Sequence, residues 1–413
     1  MLIIGFALAC AAIAADARGA QAEPTAEERI QAYVEPSVVY VDTTWTAELW
    51  DTNVQGGEAL LTEGDAAVSV SFGCTGFFVN PEGYIATAGH CVEYDDAVKS
   101  GFQQAAIDWV FENQPYPNQT FTRAQIEGFA ANGDYAFRER KAKYTIAYEI
   151  ATSGESASKT AVAQLRGLRG FERGDVALLD IQGEDFPALK LASERAVEIG
   201  LDLVSIGFAA SVDEVTDVDL NPSYNSGSVT AKRTRGGGET EFYQIDAAVS
   251  SGMSGGPAVD LQGRVIGLNS FAPAREQQPF NFIAPASVVS EMLRDKGVEN
   301  TLGATNAIYR EGLNAYFAGE RDEAIENLEE VLAREPSHEL AGDYLRKARA
   351  LPEEEDGLPI LPIVLGLAAL AVAGGVAALL LTRRRRAAAD AHETATAGPA
   401  AQPPAAAPVP SER

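Results

Sequence analysis

Gly252-Met253-Ser254-Gly255-Gly256-Pro257 sets one hydroxyl between glycines, an arrangement suited to a tight turn that exposes Oγ of Ser254 and aims backbone N–H groups at one point. Taken alone, the string also fits a glycine-rich hairpin loop. Its reading depends on what stands elsewhere in the chain. Acyl transfer to an alcohol needs a base that takes its proton near neutral pH and a group that fixes the base's tautomer. The chain holds three histidines, His90, His338 and His392. His90, in Thr87-Ala88-Gly89-His90-Cys91, is the one that stands in the same β-rich region as Ser254. A third element is Gly174-Asp175-Val176-Ala177-Leu178-Leu179, an acid at the mouth of an apolar strand, where a carboxylate can be held partly dry against an imidazole. As a lone Asp it reads equally as a turn residue.

Around these three elements, over residues 34–295, short β-branched and aromatic runs alternate with Gly, Asn, Asp and Pro, as at 37–43, 68–79, 203–208, 242–245 and 265–268. That spacing predicts a mainly β domain, a barrel or sandwich. Residues 96–140 break the pattern. Val98, Phe102, Ala105 and Trp109 recur at helical intervals, so this stretch is read as a helical insertion. Its Trp109, Phe111, Tyr116 and Phe121 either form a lid over a cleft or pack the insertion itself.

Residues 303–350 switch to helical periodicity rich in Ala, Leu, Glu and Arg, a small α-helical hairpin. Gly312, Ala324, Leu328 and Pro336 fall at tetratricopeptide spacing, with Tyr344 and Leu345 on a capping helix. Such a hairpin serves as a spacer or peptide-binding handle, or is a plain helical stalk. Residues 358–381 carry no charge and as a helix cover about 36 Å, enough for a hydrocarbon core of roughly 30 Å. Glu353-Glu354-Glu355-Asp356 precedes this expected transmembrane helix and Arg383-Arg384-Arg385-Arg386 follows it, which places the C-terminus in the cytoplasm and the β-rich domain outside. The Ala- and Pro-rich tail, 382–413, lacks periodicity and is expected to be disordered. At the other end, the short apolar stretch Leu2 to Ala15 runs into small-residue sites, so residues 1–22 are read as a signal peptide without a basic n-region, an N-terminal membrane anchor being the alternative. The formal charge of −27, from 59 acidic and 32 basic residues, argues against nucleic acid as a partner.

The three elements and their flanks resemble, in order, the chymotrypsin-like serine proteases, and within them the HtrA (DegP-like) group. Pro36-Ser37-Val38-Val39 is similar to that group's opening strand. Gly83-Tyr84-Ile85-Ala86-Thr87-Ala88-Gly89-His90 is similar to its histidine segment, and Asp175-Val176-Ala177-Leu178-Leu179 to its acid strand. Ile245-Asp246-Ala247-Ala248-Val249 leads into 252–257 as the nucleophile segment does, and Val265-Ile266-Gly267-Leu268 and Phe282-Ile283-Ala284-Pro285 follow in register. The PDZ domain usual in that group is not evident.

The resemblance implies two antiparallel Greek-key barrels and a catalytic triad of Ser254, His90 and Asp175. It further implies an oxyanion hole from the N–H groups of Gly252 and Ser254, substrate contacts at Ala248 and Ser270, a disulfide between Cys74 and Cys91, and neither metal nor cofactor. Protein or peptide substrates follow from it. Met253 stands where trypsin-type enzymes place an Asp that receives a newly cleaved N-terminus, so activation by cleavage is not expected. Ala248 occupies the position six before the nucleophile, and Asp246 is two positions off that register, so a small or medium apolar P1 residue is expected. Two other functions compete with peptidase: a protease-fold scaffold without activity, and an esterase using the same triad.

Overall fold

The computed structural model describes residues 25–54, 57–62, 67–152, 155–210, 221–235, 240–271, 280–353, 370 and 373–386. The expected signal segment, the tail beyond 386 and most of the expected transmembrane run, 358–369 and 371–372, lie outside them. Residues 373–386 are helical, and among the described residues no helix is long and apolar enough to cross a membrane. The chain divides into one compact unit ending at Pro352 and a second from Glu353.

The first element is helix α1, Ala26–Val34, eight residues ahead of where the sequence reading begins the folded region. Thr25 and Glu28 close a reciprocal capping box at its start, satisfying two amides that no earlier turn can reach. Ile30, Ala32 and Val34 are buried. Strand β1, Val38–Val54, then carries alternating buried and half-buried residues, as expected for a strand with one face on a core. Strands β2 (Gly57–Leu60), β3 (Val68–Phe78) and β4 (Tyr84–Thr87) precede two helices, α2 (Asp96–Asn113) and α3 (Arg123–Ala131). Strands β5 (Tyr135–Thr152), β6 (Glu155–Arg169) and β7 (Val176–Asp180) complete the sheet in the order β2-β1-β3-β4-β7-β6-β5. Pairing of β5 back onto β1, from Tyr40 opposite Ala147 to Asp51 opposite Tyr135, closes a ring and leaves β2 as an appendage.

The insertion is shorter than the sequence reading of 96–140, because residues from Tyr135 onward are already the strand that closes this barrel. Its helices bury Val98, Phe102, Ala106, Ile107, Val110 and Ile126 against the barrel's outer face. The insertion's aromatics pack among themselves: Phe121 lies edge-on to Tyr116 and to Phe129, and Tyr116 donates to Asp51 Oδ2 at 2.7 Å. The lid reading is thus replaced by self-packing; Phe111, 43% exposed, meets the Arg123 guanidinium.

Strands β8 (Asp202–Gly207), β9 (Ser223–Arg235), β10 (Thr240–Ile245), β11 (Pro257–Asp260), β12 (Val265–Phe271) and β13 (Asn281–Pro285) form a second closed barrel, ordered β10-β13-β12-β11-β8-β9, all antiparallel. One buried cluster joins residues of both barrels, among them Phe77, Val176, Leu178, Ile206, Phe208 and Leu268, so the groove between the barrels has an apolar base.

Helix α4 (Ala286–Asp295) leads to α5 (Ala304–Ala318), α6 (Arg321–Arg334) and α7 (Glu339–Arg349). Gly312 allows α5 and α6 to touch, since a Cβ there would stand 2.9 Å from Leu328 Cγ. A two-helix unit cannot bury its own core; here α7 covers one side with Tyr344 and Leu345, and Ala32 of α1 joins the same cluster. The sequence treats 303–350 as separate from 34–295, yet the two are bound together: Asn306 Nδ2 donates to Ala188 O at 2.9 Å and Thr305 Oγ1 to Asp185 Oδ2 at 2.5 Å, while Tyr309 donates to Ala32 O of α1 at 3.1 Å.

Candidate active site

Each expected catalytic residue sits where a strand meets a loop at the groove between the barrels. His90 lies in a 3₁₀ turn, Gly89–Cys91, directly after β4. Asp175 precedes β7 in left-handed conformation, φ 51°, which Asp tolerates better than most side chains because its short polar group bonds locally. That conformation turns the carboxylate back over the histidine. His90 Nδ1 lies 2.9 Å from Asp175 Oδ2 and 3.1 Å from Oδ1, and His90 N–H donates to Oδ1 at 2.9 Å. Ser270 Oγ donates to Asp175 Oδ2. Asp175 is fully buried, whereas the His90 side chain keeps 29% exposure, so one ring edge faces the groove.

These contacts set the charge states. Burial by itself disfavours the His90 imidazolium, but the Asp175 hydrogen bond and charge, with Asp95 and Glu93 further off, outweigh it and raise the pKa. Burial likewise works to raise the Asp175 pKa and is overcome by hydrogen bonds from His90 and Ser270 and by the histidine's charge, so the carboxyl is held below its ordinary value. A carboxylate that accepts from Nδ1–H leaves Nε2 without a proton, in the tautomer that accepts one from a hydroxyl.

Ser254 occupies the turn before β11, and its two flanking glycines are required by space and dihedral. Gly252 has φ +88° and a Cβ there would stand 2.4 Å from Phe208 O; Gly255 has φ +83° and a Cβ would stand 2.3 Å from Thr75 O. The turn is held from both barrels. From β3, Thr75 N donates to Ser254 O at 2.9 Å and Thr75 Oγ1 to Gly252 O at 2.8 Å, while Oγ1 accepts from Phe208 N at 2.9 Å. From β12, Asn269 O accepts from Gly255 N at 2.7 Å, and the fully buried Asn269 side chain donates to Met253 O and Ile206 O and accepts from Ser205 Oγ. The amides of Gly252 and Ser254 donate to none of the described residues, in contrast to those of Met253, Gly255 and Gly256, which are all engaged. Among the described residues Ser254 Oγ makes no hydrogen bond to His90. The backbone nevertheless brings the two together, since Cys91 Sγ, one residue from His90, lies 3.8 Å from Ser254 O.

Cys74 and Cys91 form a disulfide with Cα atoms 6.2 Å apart, tying β3 to the histidine turn. Their sulfurs and a His90 ring nitrogen cluster within 4.8 Å, the spacing of metal ligands, but two sulfurs bonded to one another offer no thiolate. Of the expected substrate contacts, Ala248 is exposed beside the nucleophile segment, its carbonyl accepting from Asn225 Nδ2 at 3.0 Å. The Ser270 hydroxyl is buried and donates to Asp175, which leaves its backbone groups for the expected substrate contact. Asp246 accepts from Ser228 N at 2.6 Å and is turned to β9. Sequence reasoning missed Thr75 and Asn269; Thr75 is an ordinary strand residue by type, an Asn within a strand such as Asn269 was the one available signal, and the bonds of both reach partners far along the chain.

The trypsin-like peptidase domain family matches residues 74–268, just under half of the chain. Among curated proteins, the chain is 28% identical over 200 residues to a probable periplasmic serine endoprotease DegP-like of Pseudomonas fulva (strain 12-X), covering 47% of this chain and 37% of that one. It is 34% identical over 137 residues to one of the same description from Brucella suis biovar 1 (strain 1330), covering 31% and 25%. The chain thus spans between a quarter and two fifths of the length of these relatives. A solved structure, an HtrA-type protease AlgW with decapeptide, is similar at a TM-score of 0.41 and 17% identity, covering 66% of this chain and 67% of that one.

Proposed function

We propose that this chain, which carries a trypsin-like peptidase domain, is a serine endopeptidase that cleaves protein or peptide substrates through an acyl-enzyme, without metal or cofactor. The observation that carries the reading is the chain of contacts Ser270–Asp175–His90 beside a turn that exposes Ser254 and leaves two amides unspent. Ser254 Oγ attacks the scissile carbonyl carbon while its proton passes to His90 Nε2, and the carbonyl π pair moves to oxygen. Gly252 N–H and Ser254 N–H donate to that oxyanion. On collapse the C–N bond breaks and the amine leaves with the proton from His90; water then repeats the sequence to release the acid and restore Ser254. The missing hydroxyl–imidazole hydrogen bond is consistent with this chemistry, because such bonds are often long without substrate and tighten when it seats.

Ala248, where a specificity residue is expected, cannot pair with a cation, and the Asp246 carboxylate is occupied by Ser228. Cleavage of a peptide library by the full chain is expected to show small or medium apolar P1 residues. Strict Lys or Arg at P1 would refute the assignment of the pocket, and turnover of esters alone would favour the esterase.

Placement outside the cytoplasm is supported by the disulfide and by relatives whose names place them in the periplasm. A single-pass anchor at 358–381, with the cytoplasmic side marked by Arg383–Arg386, is supported by the charge-free run and its flanks. The chain should then sediment with membranes after a carbonate wash, and its recovery in the supernatant rejects the anchor.

A further inference from the structure

Away from the triad, a cleft of about 400 Å³ opens between the first barrel and the turn joining α6 to α7. That size lies within the roughly 300–1,000 Å³ typical of ligand sites. Its floor is aromatic. Phe78 and Phe186 stack at 4.6 Å with Tyr148 edge-on to both, and Phe208 forms a further wall. Its rim is acidic: Glu35, Glu184, Asp185, Glu335 and Glu339 line it with Arg334, which is already paired with Glu330 at 2.7 Å, and the exposed Lys159 acts on Glu335 from outside that lining.

The carboxylates differ in what they have to do. Asp185 accepts from Thr305 N and Oγ1 at the start of α5, and Glu35 accepts from Gln31 Nε2 at 3.0 Å. The Glu335 carboxylate has neither a hydrogen bond nor an ion pair among the described residues, although its backbone N–H donates to Val331 O at 2.8 Å. It caps the C-terminus of α6, where the helix dipole already concentrates negative charge and favours a cation. Burial raises its pKa, as does the charge of Asp185, with only a partial offset from Lys159. A half-buried acid, at the wrong end of a helix and beside other acids, is stabilised by a positive group brought from outside.

We propose that this cleft binds a basic peptide segment, seating a Lys or Arg against Glu335 and Glu184 and an adjoining apolar side chain on Phe186, Tyr148 and Phe208. The aromatic floor selects a peptide over a simple polyamine, because a polyamine leaves those rings wet. The volume admits a few side chains and not a folded domain. The rim would repel an acidic partner by simple Coulomb repulsion.

The test is fluorescence anisotropy with a labelled hexapeptide of alternating Arg and Phe, titrated against the full chain in detergent carrying Ser254→Ala to prevent turnover. One saturable site is expected, weakened by added salt and weakened about tenfold or more by Glu335→Gln. The exposed Glu184→Gln, which carries no structural bond, is expected to weaken it also, and guards against loss of folding as the cause. Peptides of alternating Glu and Phe, or of Arg and Ser, should bind at least about tenfold more weakly. Unchanged affinity in both variants would place the peptide elsewhere, including the groove of Ser254, and would overturn the proposal. So would equal binding by the Arg and Ser peptide or full displacement by spermine, which describe a site for bare cations. Because binding is read without catalysis, this result is independent of the peptidase reading.

Discussion

Replacing Ser254 by alanine is expected to lower kcat by about 10⁶, the size found where the same serine is removed from such a triad. It should also abolish labelling by a fluorophosphonate probe. The physical reason is that Ser254 is the hydroxyl set between the glycine positions of the turn, whereas Ser250 and Ser251 precede Gly252 and Met253 is buried. Stability should change little, because the Ser254 hydroxyl carries no hydrogen bond to His90 and the turn is held through backbone groups by Thr75 and Asn269. A folded parent chain that takes no label would end the peptidase reading and favour the scaffold.

The second large effect is expected from Asp175→Asn, which should reduce kcat by about 10⁴. Asparagine tolerates the left-handed backbone at 175, where φ is 51°, so the turn is retained. What changes is hydrogen-bond polarity. Asp175 accepts from His90 Nδ1, His90 N and Ser270 Oγ together, and an amide has one acceptor atom and a donor in place of the other. An amide N–H facing Nδ1 forces the proton to Nε2, the nitrogen that must be free to take one from Ser254. The parent's kcat/KM should fall on acidification with an apparent pKa above the ordinary imidazole value of about 6.5, because Asp175 favours the imidazolium and only neutral His90 is active. Removing the negative charge should move that limb to lower pH. Equal activity, or an unmoved limb, in a variant that melts like the parent would show that Asp175 does not act through His90.

Legibility in the sequence followed the range of the interactions. The nucleophile turn could be read because Gly252 and Gly255 answer a local demand for positive φ and bare Cα positions. His90 and Asp175 could be read because each abuts a short, nearly continuous apolar run that forms a buried strand. Helix α1 was not anticipated, although its capping box of Thr25 and Glu28 is local; the burial that makes this helix matter, Ala32 against Tyr309, joins residues at opposite ends of the unit. The Ser270 side chain was illegible for the same reason: nothing in Asn269-Ser270-Phe271 says that the hydroxyl meets a carboxylate 95 positions earlier.

What the amino-acid string by itself determined is therefore the mainly β class, the presence of a helical excursion and a later helical segment, and the residue types proposed for acyl transfer, because backbone geometry and side-chain chemistry are properties of neighbours. Tertiary structure alone decided where β5 closes the first barrel, that the helical hairpin is fastened to it, and that Thr75 and Asn269 grip the nucleophile turn. It also created the acidic cleft beneath α7. Each of these depends on polar groups and apolar faces brought together from distant positions, where the need to satisfy buried hydrogen bonds, and not any local pattern, selects the partner.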